Sequence, residues 1–231
     1  MHTKSVAIAL IVGGFSMPAL AGIPLASSTF ATDAEGWGGL TTTGSPDWSV
    51  VASVGPLPDM DGNPDFSGSI VLIDPDNHWT YFSAPATFLG DKSSAFGGTL
   101  SFDYSVFTPG TGYANEAEVV LKGAGMTLVY DATSSLLYTT PISWSHIEIT
   151  LSGGGWRVGD IFSGAPASNA QLLAVLSDLD ALWINAEHYT PEMEAIALDN
   201  VVLSAPVPEP RTWIMMGLGL ALLGRLFKRQ A

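Results

Sequence analysis

Alternating apolar and polar positions dominate the middle of the chain. Leu100, Phe102, Tyr104 and Val106 alternate with polar residues, and residues 147–151 repeat the pattern. A period of two is typical of a strand that buries one face. Further strands are predicted at 69–73, 79–82, 118–121, 126–130, 182–186 and 196–203. Because Gly and Pro turns separate these segments, the pattern predicts an all-β fold, a sandwich or barrel.

One segment has a helical period instead. Ser168 and Gln171 have the spacing of a capping box, and Leu172, Val175 and Leu176 then follow on one helical face. This segment predicts one short helix that leads into a strand near Trp183. The sequence shows no internal repeat and no interior linker, so we expect a single domain over residues 22–206.

The first 21 residues have the order of a secretory signal peptide. A short positive start contains Lys4, and an apolar run covers residues 6–17. Ala19 and Ala21 then place small side chains where a signal peptidase cleaves. The run is too short to span a bilayer, which needs about 20 apolar residues. We therefore predict that the chain is exported.

The other end has three parts in a fixed order. Val207, Pro208, Glu209 and Pro210 are followed by an apolar segment at about 212–227 and a basic tip. This end resembles the PEP-CTERM sorting signal of Gram-negative bacteria. The resemblance implies cleavage near the motif by an exosortase-type membrane transpeptidase. It also implies at least a transient inner-membrane anchor, with delivery to the cell surface, outer membrane or extracellular matrix.

Charge is distributed unevenly along the chain. Residues 22–206 hold 21 of the 22 acidic residues, all except Glu209, but only three of the eight bases, which gives a net charge of −18. Such an acidic body excludes a nucleic-acid partner, since phosphate backbones bind basic surfaces. The absence of Cys excludes disulfides, thiolate metal sites and a Cys nucleophile.

A series of short aromatic and glycine motifs runs through residues 30–203. The series comprises 30–37, 62–64, 79–85, 88–91, 96–102, 120–125, Trp156, 176–179 and 198–201. Its order resembles the laminin B, or laminin IV type A, domain of extracellular matrix proteins. The resemblance implies a jelly-roll β-sandwich similar to galactose-binding-like and carbohydrate-binding modules. Animal versions lie among Cys-rich neighbours that this chain lacks, so the partners of laminins are not carried over.

Two acidic sets suggest a cation. Residues 59–65 alternate oxygen donors, which suits Ca²⁺, but the spacing is not that of an EF-hand, and an exposed turn explains it equally well. Asp33 and Asp199 form the second set, because related jelly-roll modules hold a structural Ca²⁺ between their first and last strands. The alternative is that Asp199 faces water or bonds a turn. We therefore expect no obligatory cofactor, with structural Ca²⁺ as a hypothesis.

Tryptophans and paired acids are the remaining candidates. Trp79, Trp156 and Trp183 lie in strand patterns and are predicted to be core, whereas Trp48 follows a turn and is the candidate for stacking on a sugar. The pairs Glu116/Glu118 and Glu192/Glu194 resemble solvated strand faces rather than catalytic carboxylates. The sequence therefore predicts a non-enzyme.

Three functions remain open at this point. The first is an exported surface or biofilm-matrix protein that binds an extracellular polysaccharide or another surface protein. The second is a purely structural matrix component without a specific ligand. The third, which the sequence favours least, is a glycan hydrolase.

Overall fold

The computed structural model describes residues 22–42, 48–49, 55–56, 68–73, 79–106, 119–130, 144–160, 163–187 and 195–207. Within these ranges the chain forms a sandwich of two antiparallel sheets with one α-helix. The predicted all-β sandwich is therefore confirmed. The predicted signal segment and the apolar segment at 212–227 lie outside the described residues.

The strands follow the chain from end to end. In chain order they are β1 (Ile23–Ser28), β2 (Gly38–Thr42), β3 (Trp48–Ser49), β4 (Gly55–Pro56), β5 (Ile70–Ile73), β6 (Thr80–Ser83), β7 (Thr99–Val106), β8 (Val119–Gly123), β9 (Met126–Tyr130), β10 (Ser145–Thr150), β11 (Trp156–Val158), β12 (Leu179–Asn185) and β13 (Ala195–Ala205). Sheet A has the order β10-β7-β13-β5-β4, and β1 also pairs with β13. Sheet B has the order β11-β9-β8-β12-β6-β2-β3.

The core lies between the two sheets. The alternation that predicts β7 also orients it, since Leu100, Phe102, Tyr104 and Val106 are all buried in the main cluster. Trp156 from sheet B is buried in the same cluster. Full burial of a large apolar side chain contributes roughly 1.5–3 kcal/mol, so this shared layer is the main stabilising element.

The predicted helix is present as α1 (Asn169–Ser177). The Ser168 side chain accepts the Gln171 N–H, and the Gln171 side chain accepts the Ser168 N–H at 2.9 Å, so the capping box is complete. Leu172, Val175 and Leu176 are buried against the core. Two short 3₁₀ turns, Ala86–Phe88 and Ser93–Ala95, precede β7.

Strand β13 organises sheet A because it is much longer than its neighbours. Its first half pairs with β5 and its second half with β1, while β7 pairs with both halves on the other side. The register shifts between Asp199 and Val202, where Asn200 adopts a left-handed φ of 48°. This bulge divides β13 into its two halves. The sequence pattern missed β1, because Ile23–Ser28 contains a proline and does not alternate.

Gly98 is required by the close approach of β7 and β13. A Cβ atom there would overlap the Ser204 carbonyl oxygen and lie 2.7 Å from the Ala205 carbonyl carbon. We expect Gly98→Ala to lower the free energy of unfolding by about 1–3 kcal/mol, the usual effect of overpacking. Urea unfolding, monitored by Trp fluorescence, measures this free energy. Gly154→Ala is the matched control, since a Cβ there meets nothing within 4 Å, and equal midpoints would contradict the prediction.

Candidate functional site

Polar side chains gather on the face of sheet A that points away from the core. The register pairs Asp103 of β7 with His146 of β10 on one side and with Asp199 of β13 on the other. Since the neighbours of Asp103 along β7 face the core, Asp103 faces outward. We call Asp103, His146, Asp199, Asn200 and the nearby Glu35 the acidic cluster.

Hydrogen bonds join the members of the acidic cluster. The Asn200 side-chain amide donates to Asp103 Oδ2 at 2.8 Å and to Asp199 Oδ2 at 3.1 Å. The Asn200 backbone N–H donates to Asp199 Oδ1 at 2.6 Å. His146 Nδ1 lies 2.6 Å from Asp103 Oδ1 and its side chain is largely exposed. Two carboxylates on adjacent strands therefore share one amide donor.

The environment of Asp199 disfavours its ionised form. Burial, as the largest cause, raises the pKa of Asp199 to about 6. The Asn200 backbone hydrogen bond acts in the opposite direction, and the charges of Asp103 and Glu35 raise the pKa further. At neutral pH the folded protein therefore carries a carboxylate whose ionisation costs stability.

The loop between β1 and β2 supplies Glu35. The Asp33 carboxylate accepts the Glu35 N–H at 2.7 Å, and Glu35 Oε1 accepts the N–H of Phe30 at 2.8 Å. Glu35 itself has a φ of 49°. Asp33 therefore orients the turn, whereas the charge of Glu35 acts on Asp199.

The predicted calcium ligands do not form a donor set by themselves. The Asp33 carboxylate accepts the Glu35 backbone N–H. The described residues contain no group of three or more acidic or His side chains placed to hold a metal ion. Residues 59–65 lie outside the described ranges. Calcium at Asp33 and Asp199 stays a prediction.

A second cluster occupies the face of sheet B that points away from the core. Tyr81, Val120, Val129 and Trp183 pack together there, with the Tyr81 and Trp183 ring centroids 6.2 Å apart. Lys122 Nζ lies 4.1 Å from the Trp183 ring centroid, a cation–π contact. Burial lowers the pKa of Lys122. We call this set the aromatic face.

Arg157 adds a second base to the aromatic face. It pairs with Val129 in the register of β11 and β9, and its guanidinium donates to the Gly164 carbonyl at 3.0 Å. Two of the three bases in residues 22–206 therefore lie on this face. Both bases have partners within the chain, the Trp183 ring for Lys122 and the Gly164 carbonyl for Arg157.

The predicted tryptophans divide among three environments. Trp156 is buried in the main core, as predicted, and Trp183 is buried in the aromatic face instead. Trp79 is 48% exposed, so its core prediction is wrong. It lies just before β6, where alternation directs it to the same side as Tyr81. The backbone of Trp48 pairs with Thr42 in β2, and its side chain is outside the described part.

Comparison with known families identifies the fold. The family model described as Laminin B (Domain IV) matches residues 81–213, more than half of the chain. The chain belongs to the laminin B family. The predicted resemblance is therefore confirmed, and the sandwich begins at β1, well before the first matched residue.

Relatives of this laminin B domain are parts of much longer proteins. Mouse laminin subunit alpha-1 is 30% identical over 132 residues, which cover 55% of this chain and 4% of that relative. Human laminin subunit gamma-2 is 34% identical over 105 residues, 44% of this chain and 8% of the relative. The chain therefore spans less than a tenth of either protein.

A solved structure has the same fold. The L4b domain of human laminin alpha-2 superposes with a TM-score of 0.54 and 14% sequence identity, covering 76% of this chain and 94% of that domain. At this identity the likeness concerns the fold alone.

The sorting signal is a second, separate match. A PEP-CTERM protein-sorting motif matches residues 206–230, directly after β13. Within the described residues no helix is long and apolar enough to cross a membrane. The motif marks this laminin B protein as one sorted to the cell envelope or the extracellular space.

Sequence reasoning missed most of the acidic cluster. Four of its members were not predicted as site residues, because each occupies an ordinary polar position in a loop or strand. They are Glu35, Asp103, His146 and Asn200. The only available signal was that Asp103 is a charged residue inside an otherwise uncharged alternating strand. The two acidic pairs considered for catalysis, Glu116/Glu118 and Glu192/Glu194, lie outside the described residues.

The acidic cluster gives stability a defined pH dependence. The folded-state pKa of Asp199, about 6, exceeds its ordinary value of 3.8, so the folded state binds the proton more tightly. The free energy of unfolding should therefore fall as pH rises from about 4 to about 6. In EDTA, Asp199→Asn should remove much of that fall and raise the urea midpoint at pH 7, despite weakening the 3.1 Å bond from Asn200.

Calcium binding is tested with the same variant, Asp199→Asn, by the urea midpoint. If Asp199 is a ligand, Ca²⁺ should raise the midpoint of the wild type but not that of Asp199→Asn. Glu148→Gln, an exposed change on β10 of the same sheet, is the control and should keep the response. A midpoint of the wild type that does not change with Ca²⁺ would rule the site out.

Proposed function

We propose that this chain is an exported, non-catalytic binding protein of the cell surface or extracellular matrix of a Gram-negative bacterium. Its laminin B sandwich binds an extracellular polysaccharide. The observation that carries the proposal is the junction of a laminin B domain with a PEP-CTERM motif in one chain. The motif supports delivery outside the cell, and the similarity to laminin subunits supports a binding rather than a catalytic role.

The proposed maturation removes both ends. A signal peptidase cleaves after Ala21, and an exosortase-type transpeptidase acts near residues 207–210. The apolar segment at 212–227 holds the chain in the inner membrane until then. The proposed domain organisation is therefore a signal peptide (1–21), a sandwich (22–206) and a sorting signal (207–231).

The proposed binding surface comprises the exposed Trp79 and the two partly exposed bases of the aromatic face, Lys122 and Arg157. The Tyr81 and Trp183 rings are themselves buried and support this surface from below. Trp79 is exposed, and a flat aromatic ring packs well against the apolar face of a sugar. Lys122 and Arg157 place positive charge on the same face of an otherwise acidic body, which suits acidic sugars. The predicted contribution of Trp48 to this surface stays a proposal.

Sorting is tested by the fate of the C-terminus. In the host, replacing Pro208 and Pro210 by Ala should leave the chain uncleaved in the inner membrane, because the protease motif is lost. Intact mass of the protein recovered from membranes and from the medium measures it. Pro166→Ala, a proline far from the motif in sequence, is the control. Normal cleavage of the double variant would contradict the sorting proposal.

Binding is tested by retention on the exopolysaccharide of the host. We expect Trp79→Ala to weaken retention by about 3–10-fold, since an aromatic contact contributes roughly 0.5–1.5 kcal/mol. Leu173→Ala removes a comparably exposed apolar side chain from α1 and should leave retention unchanged. An equal effect of both changes would exclude Trp79 from the site. Failure of the wild type to bind, together with self-association, would favour the structural matrix role.

A further inference from the structure

Four neighbouring strands of sheet A end together where the sandwich meets its two terminal segments. Pro24 of β1 pairs with Ser204 of β13, which pairs with Thr99 of β7. Thr99 in turn pairs with Thr150 of β10. The first strand after the signal segment and the last strand before the sorting motif are therefore adjacent at one end of the sheet.

Close backbone contacts fix this end of the sheet. A Cβ atom on Gly22 would overlap the Ala205 carbonyl oxygen, so residue 22 lies directly against the end of β13. The Gly97 N–H donates to the Leu151 carbonyl at 2.9 Å, and Pro206 lies 3.8 Å from the position of a Cβ on Gly97. We call residues 22–24, 97–99, 150–153 and 204–207 the uncharged end of sheet A.

The uncharged end contains no Asp, Glu, Lys, Arg or His. This is notable in a body with 21 acidic residues, and Ile23 is 59% exposed there. Glu148 is the acidic residue closest in register, about 7 Å along β10 from Thr150. Asp103 lies about 13 Å along β7 from Thr99. At physiological ionic strength the Debye length is about 8 Å. The repulsion between the acidic cluster and a charged surface that touches this end is therefore largely screened by salt.

The segments that leave this end are both apolar. The run at 6–17 enters the body at Gly22, and the segment at 212–227 follows Val207. A chain held in a bilayer by either segment must bring residues 22 or 207 close to the lipid. Because β1 and β13 are paired, the two points are the same place on the sandwich.

We propose that the uncharged end of sheet A is a membrane-contact surface, on which the folded sandwich rests against the lipid before sorting. The inference rests on the proposed function, since it needs the C-terminal segment to be in the bilayer. Anionic lipid repels the surfaces of this body that carry carboxylates, and the uncharged end carries none. From Ala205 to Pro208 the chain spans at most about 10 Å, so the transpeptidase receives its motif beside this end.

The absence of Cys allows a direct test with single cysteines. Pro24→Cys and Thr150→Cys place a label at the uncharged end, and both positions are exposed. Ile73→Cys is the matched control, because Ile73 is 58% exposed in the same sheet and pairs with Ala195 at the opposite end of β13. The Ala195–Ser204 stretch of β13 separates the two sites by about 30 Å.

The full chain, labelled with a small fluorophore, is reconstituted in vesicles of phosphatidylethanolamine and phosphatidylglycerol that carry nitroxide headgroups. We expect quenching at residues 24 and 150 at least threefold stronger than at residue 73. Similar quenching at all three positions, or stronger quenching at residue 73, would overturn the membrane contact and leave the proposed function intact. Quenching that needs added transpeptidase would also overturn it, since the surface would then fit a protein.

Flotation of the same vesicles distinguishes a failure of the membrane contact from a failure of the proposed function. A chain that does not float with lipid would refute the membrane-held stage of the proposed function, and the contact surface with it. As a second measurement, Thr150→Glu should reduce quenching at residue 24 at low salt, and added salt should restore it. Ile73→Glu should have no such effect, and an equal effect of both would contradict the proposal.

Discussion

The pairing of β13 with β7 and β1 is the constraint on which the rest of this structure depends. Strand β13 closes sheet A by joining the first strand of the body to the middle of the sheet. Its buried side chains contribute to the core, and its bulge places Asp199 and Asn200 beside Asp103. Its last residues lead into the sorting motif. Core, acidic cluster and sorting junction therefore share one strand.

The acidic cluster and the aromatic face, which lie outside the main core, have opposite character. In the acidic cluster on sheet A, burial first and then the charges of Asp103 and Glu35 raise the pKa of Asp199 to about 6. The aromatic face on sheet B instead holds Tyr81 and Trp183 beneath Lys122. Both features lie outside the layer between the two sheets, and the aromatic face forms a second buried cluster of its own.

The sequence predicted the elements whose pattern is local. The alternation in β7 and β10 and the capping box of α1 predict those elements, because strand faces and helix caps involve residues within a few positions. It failed at β1, where Pro24 interrupts the pattern, and at Trp79, which lies one residue before its strand begins. Glu35 was missed for a related reason, since its charge acts on Asp199 only in the folded turn that Asp33 orients.

The sequence by itself determined the fold class, the laminin B resemblance, the acidic body and the C-terminal sorting motif, because composition, periodicity and motif order are properties of the linear chain. Tertiary structure decided which residues meet. Asp103 and Asn200 are 97 positions apart and hydrogen-bonded, and Gly22 lies against Ala205. Such contacts follow from the register between strands far apart in sequence, which is fixed only when the buried faces of the whole sandwich pack together.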